Sequence, residues 1–140
     1  MRSIAVLLVL AGVSACASSS STGINGQNVG GQEVVVALGD TVMLGTTSLR
    51  VGFRTVSHES RCPVDVVCVT AGWAEIVLDL MRPGGADVVG TLAVGHSGTT
   101  PRSLVFNGYL IELLELTPEP VTTQPNPAYQ ARLRYRFLPD

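Results

Sequence analysis

From residue 33 onward, apolar and polar positions alternate in several runs. Leu49, Val51 and Phe53 are interleaved with Arg50, Gly52 and Arg54. Ala74, Ile76, Leu78 and Leu80 are interleaved with Glu75, Val77 and Asp79. Ala131, Leu133, Tyr135 and Phe137 alternate in the same way with Arg132, Arg134 and Arg136. A period of two sends successive side chains to opposite faces of an extended strand, so each run predicts a strand with one buried face. The β-branched stretches 34–38, 41–44 and 87–94 predict further strands.

Turn chemistry separates these runs. Gly39-Asp40 and Arg82-Pro83-Gly84-Gly85 are turn signals. Asn107-Gly108 lies between Leu104-Val105-Phe106 and Tyr109-Leu110-Ile111 and predicts a type I′ hairpin, which needs positive φ at both central residues. Residues 112–116 have helical propensity, but the stretch is short and Pro118 follows. Pro118, Pro120, Pro125 and Pro127 predict an extended loop over 117–128. The expected fold is all-β: a single antiparallel β-sandwich or barrel-like domain of about seven strands over residues 33–140.

The first residues follow another pattern. Met1-Arg2-Ser3 precedes an uncharged apolar stretch, 4–13, and then Ser14-Ala15-Cys16. One positive charge, about ten apolar residues and a small-residue boundary describe an export signal. The run is about half the length of a transmembrane helix, and no later run reaches that length. Residues 17–32 are rich in Ser, Gly and Asn and form a tether with a reach of roughly 20–25 Å.

Val13-Ser14-Ala15-Cys16 resembles the lipobox of bacterial lipoproteins, with Val13 where Leu is usual. The resemblance implies that 1–15 is a lipoprotein signal peptide and that Cys16 is lipidated and acylated. Residues 16–32 then join the anchor to the domain. The plain alternative is an ordinary signal peptide cut after Ala17. Two or more acyl chains, at about 0.8 kcal/mol per buried CH₂, make a stable anchor. Ala17, where Asp would mark retention, implies onward export in a cell with two membranes. The expected location is therefore the outer membrane or cell surface, with membrane lipid as one partner.

Composition narrows the function classes. The 140 residues suffice for one domain. Nine basic residues, all Arg, against eleven acidic ones give a net charge of −2, too little for an electrostatic grip on nucleic acid. Besides Cys16, only Cys62 and Cys68 remain, an even number in an oxidising compartment. Five intervening residues allow a disulfide. Structural zinc would need a second ligand pair, and a redox pair would need C-x-x-C. No metal or cofactor is expected.

Around the cysteines, Glu59-Ser60-Arg61-Cys62-Pro63, Val66, Cys68 and Ala71-Gly72 resemble a motif of small uncharacterised bacterial lipoproteins and secreted proteins. Weaker matches extend upstream over Leu49, Val51, Phe53 and Val56, and downstream over 109–116, Pro118, Pro120 and 129–133. Thr70 stands where that family tends to carry Trp, and the single Trp here is Trp73. The resemblance implies a β-rich extracytoplasmic domain and no activity.

Two features are candidate sites. The braced loop offers Ser60, Arg61, Pro63, Val64 and Asp65 as a recognition surface, since rigidity lowers the entropy lost on binding. The plain alternative is a disulfide that only staples a small sandwich. Arg132, Arg134 and Arg136 line one strand face and form a candidate anion-binding strand. Cross-strand pairing with Glu75, Asp79, Glu112 or Glu115 is the competing expectation.

Enzyme signatures are weak. In Ser57-His58-Glu59-Ser60, neighbours on a strand point to opposite faces. In Gly95-His96-Ser97-Gly98, Thr99 occupies the place of the last Gly of a nucleophile elbow. His58, Glu59 and His96 lack the spacing of metal ligands. The expectation is a non-enzymatic, lipid-anchored binding or structural module of the cell envelope, facing a protein or an envelope polymer. The alternative is a protease inhibitor acting through the Cys62–Cys68 loop.

Overall fold

The computed structural model describes residues 30–139. The expected signal peptide, Cys16 and the tether up to residue 29 lie outside the described residues. The strands are β1 (Gln32–Ala37), β2 (Thr41–Met43), β3 (Arg50–Glu59), β4 (Trp73–Met81), β5 (Val88–Gly95), β6 (Ser103–Phe106), β7 (Tyr109–Thr117) and β8 (Gln130–Phe137). They form two four-stranded antiparallel sheets, ordered β1-β8-β7-β6 and β2-β3-β4-β5. The architecture is an all-β sandwich.

Alternation decides which faces meet. Val51 and Phe53 of β3 and Ala74, Ile76, Leu78 and Leu80 of β4 are buried against Ile111, Leu113, Ala131, Leu133 and Tyr135 of the other sheet. Burying an aliphatic or Phe side chain is worth about 1.5–3 kcal/mol, so these facing rows supply the main drive to fold. Among the described residues the core runs from Val36 to Tyr135.

The eight strands agree with the expected all-β sandwich of about seven, and the first turn falls where the sequence places it. Gly39, at a φ of 88°, and Asp40 turn the chain between β1 and β2, which belong to different sheets. Asn107 and Gly108 have φ of 49° and 78°, as the predicted hairpin requires. The helical propensity of 112–116 is overridden. A bulge between Leu113 and Glu115 inserts one residue, so the inward positions become Ile111, Leu113 and Leu116. That three-residue gap resembles helical spacing but belongs to β7.

The pairing register defines two poles. Gln32 faces Tyr135 at one end of the β1–β8 pair, and Ala37 faces Gln130 at the other. In the second sheet Arg50 faces Met81 at the first pole, and Glu59 faces Ala74 at the second. The chain therefore enters β1 at the first pole. The disulfide loop and the Pro-rich loop share the second.

Candidate functional site

β3 reaches the second pole with two bulges, which leave Arg54 and Ser57 out of register. Beyond the second bulge, Ser57 and His58 are both exposed on the outer face, which corrects the expectation that neighbours there point to opposite sides. Ser57 Oγ donates to Glu75 Oε1 at 2.6 Å. His58 stacks on Trp73 with ring centroids 4.0 Å apart. Ser57 and Thr100 hydroxyls on Glu75 hold its carboxyl below the usual range.

Ser60 looks reactive at first, because His58 Nε2 lies 3.0 Å from its Oγ. That oxygen also donates to the Trp73 carbonyl at 3.0 Å and accepts the Trp73 N–H at 3.2 Å. A nucleophilic serine passes its proton to the base. Here the hydroxyl donates its hydrogen bond to the Trp73 carbonyl instead, and pins the loop entrance to β4.

Glu59, on the inward side, organises the next layer. Its carboxylate accepts Arg61 Nε at 2.9 Å, the Arg61 backbone N–H at 3.1 Å and the Tyr129 hydroxyl at 3.1 Å. Arg61 is forked on Glu59, and its Nη1 donates to the Leu116 carbonyl at 2.6 Å. Its Nη2 reaches the Pro118 carbonyl at 3.3 Å. Burial raises the Glu59 pKa, but the Arg61 and Tyr129 hydrogen bonds outweigh it and hold the carboxyl below its ordinary value. Only 14% of the Arg61 side chain is exposed, so this candidate is a clamp between the loop and β7.

The loop itself is seated along its length. The Cys62–Cys68 bridge holds its Cα atoms 5.8 Å apart. The Cys62 N–H donates to the Ala71 carbonyl at 2.9 Å, and the Val64 N–H to the Pro120 carbonyl at 3.0 Å. Asp65 accepts the N–H and the hydroxyl of Thr122, which lowers its pKa. Gly72, at a φ of 67°, passes so close to the Ser60 carbonyl that a Cβ would collide with it.

With Ser60, Arg61 and Asp65 bonded within the chain, the loop also shows valines to solvent. Val64 and Val66 are exposed, and Val67 and Val69 are fully exposed. Of the candidates read from the sequence, Ser60, Arg61 and Asp65 spend their polar groups internally, Pro63 is half-buried, and Val64 faces out. Val66 and Val67 lie within the loop read from the sequence without being singled out there, and Val69 lies just beyond it. Their signal was a valine run across the cysteine loop that fitted no strand period.

The arginine strand is divided. Arg132 Nη2 lies 2.7 Å from Glu115, and Nη1 lies 3.5 Å from Glu33. Arg134 reaches Glu33 at 2.9 Å and Glu112 at 3.8 Å. Glu112 and Glu115 are thus used as the cross-strand expectation required, while Asp79 pairs with Arg54 on the other sheet. Arg136 makes no ion pair among the described residues.

A cleft of about 350 Å³ opens beside the loop, lined in part by Arg61, Cys62, Gly72, Val94, Leu116 and Glu119. Neither His58 nor His96 lines it. Ser97 Oγ donates to the Thr100 carbonyl at 2.6 Å. Among the described residues no cluster of His, Cys, Asp or Glu could hold a metal ion. No family model, curated protein or solved structure matches the chain.

Proposed function

We propose that the chain is a lipid-anchored, extracytoplasmic binding module that presents the Cys62–Cys68 loop to a protein partner in the cell envelope. The lipobox-like Val13–Cys16 supports the anchor. The observation that carries the recognition role is the full exposure of Val67 and Val69 on a loop braced by a disulfide and by bonds to Pro120 and Thr122. Apolar side chains held rigidly in water gain hydrophobic burial on docking and lose little entropy. The arginine strand is the weaker candidate, since Arg132 and Arg134 already face carboxylates.

Crosslinking pull-down from intact envelopes tests this. A Val67→Ser, Val69→Ser chain should keep its fold and lose a partner that the unaltered chain captures. Undiminished capture overturns the role of the loop. A second reading, protease inhibition, is favoured by the same two valines flanking Cys68. It predicts that the lost partner is a protease with a small apolar primary pocket.

A further inference from the structure

The charges of the domain are sorted by pole. Arg54, Arg61, Arg102, Arg132 and Arg134 each face a carboxylate. Arg50, Arg82 and Arg136 make no ion pair among the described residues, and all are exposed at the first pole. Arg50 opens β3 opposite Met81, and Arg82 follows Met81 directly. Arg136 lies beside the incoming chain, where a Cβ on Gly31 would stand 3.3 Å from its own. Among the described residues the exposed carboxylates at this pole are Asp87 and Glu33, and Glu33 is shared by Arg132 and Arg134. At the loop pole the balance reverses: among the described residues Asp65 and Glu119 are exposed without an ion pair, and Arg61 is committed to Glu59.

Apolar side chains accompany the arginines. Phe137 is 60% exposed next to Arg136, and Met43, the register partner of Arg50, is 56% exposed. Cations and exposed apolar groups at one end of the sandwich suit a headgroup surface, where the charges meet phosphates and the apolar groups enter the acyl boundary.

We propose that this arginine pole seats on an anionic lipid headgroup surface and turns the disulfide loop away from it. The inference deepens the anchored reading and rests on a membrane at the tether end. On the anchored reading Cys16 precedes Gly30 by fourteen residues, which at no more than about 3.3–3.6 Å each keeps this pole within about 50 Å of the bilayer. The last step, into the Debye layer of about 8–10 Å, falls to the arginines. A membrane contact through the valine loop is disfavoured, because Asp65 and Glu119 would meet like charge there.

Residues 17–140, which hold the core of the described residues, are the material for the test, with no acyl chain to mask the effect. They should sediment with phosphatidylcholine vesicles containing about one third phosphatidylglycerol and not with phosphatidylcholine alone. Binding should vanish near 1 M salt, where the Debye length is about 3 Å. Arg50→Gln, Arg82→Gln and Arg136→Gln together should weaken it about a hundred-fold, some five-fold for each arginine near the surface. Asp65→Asn with Glu119→Gln should leave it unchanged. Equal binding to both vesicles, or full binding by the triple variant, overturns the proposal. So does head-to-tail association without lipid that the triple variant abolishes, for the arginines then serve a second copy. Detection of lipid on Cys16 of the full chain tests the anchor separately, so that one idea can fail without the other.

Discussion

Glu59 joins three parts of the second pole: the end of β3, the loop through Arg61, and the Pro-rich segment's exit through Tyr129. Replacing it with alanine strands a half-buried guanidinium and removes several charge-assisted bonds. Glu59→Ala should therefore cost about 2–3 kcal/mol, read from denaturant unfolding. Its lowered pKa also sets the sign of the acid response. The unfolded chain takes up the proton first, so this contribution is present above the ordinary value of 4.5 and is lost as pH falls through the lower folded value. Thermal melts across that window should show stability dropping on acidification, with a shallower drop in Glu59→Ala. Unchanged slopes would remove Glu59 from the account. At this scale the sequence offers Arg61 as a recognition residue of the loop, whereas its guanidinium turns onto Glu59. Whether a guanidinium faces a partner or its own Glu59 depends on the neighbouring backbone carbonyls of Leu116 and Pro118, 55 and 57 residues away.

At the scale of elements, the bulges separate what could be read from what could not. β4 has no register shift and was legible as strict alternation. β3 and β7 carry inserted residues that break the period, which hid the outward pairing of Ser57 with His58 and the strand identity of 112–116. The disulfide was legible because cysteine count and spacing suffice for a seven-residue loop. Chain entropy assigns such a loop about 2–2.5 kcal/mol. Cys62→Ser with Cys68→Ser should lower unfolding free energy by that amount while the domain still folds, since the core lies elsewhere. A larger loss, or failure to fold, would mean that the bridge also organises the Pro-rich segment beneath it.

For the whole molecule, two sheets in register place the chain's entry and its valine loop at opposite ends. That separation matters if Cys16 carries lipid, because it directs the loop outward. Mass spectrometry of the chain isolated from membranes should find an N-terminal acylated Cys16. An unmodified chain beginning at Ser18, as a cut after Ala17 would leave, would make it a secreted protein. The surface charge gives the same axis: among the described residues Arg50, Arg82 and Arg136 make no ion pair at the end where the chain enters, and Asp65 and Glu119 make none near the loop.

Local chemistry determined a good deal by itself. Alternation specified most strands, Asn107-Gly108 specified its hairpin, and cysteine spacing specified the bridge, because each depends on residues near one another in the chain. The tertiary structure alone decided which polar groups are used up and which side chains are left in water. Arg132 and Arg134 lost their freedom to Glu33, whose distance in sequence concealed it, while Val67 and Val69 gained exposure from a loop whose backbone is tied elsewhere. Burial and pairing are sums over neighbours that only the packed sandwich brings together, so a strand can be read from its own residues but a surface cannot.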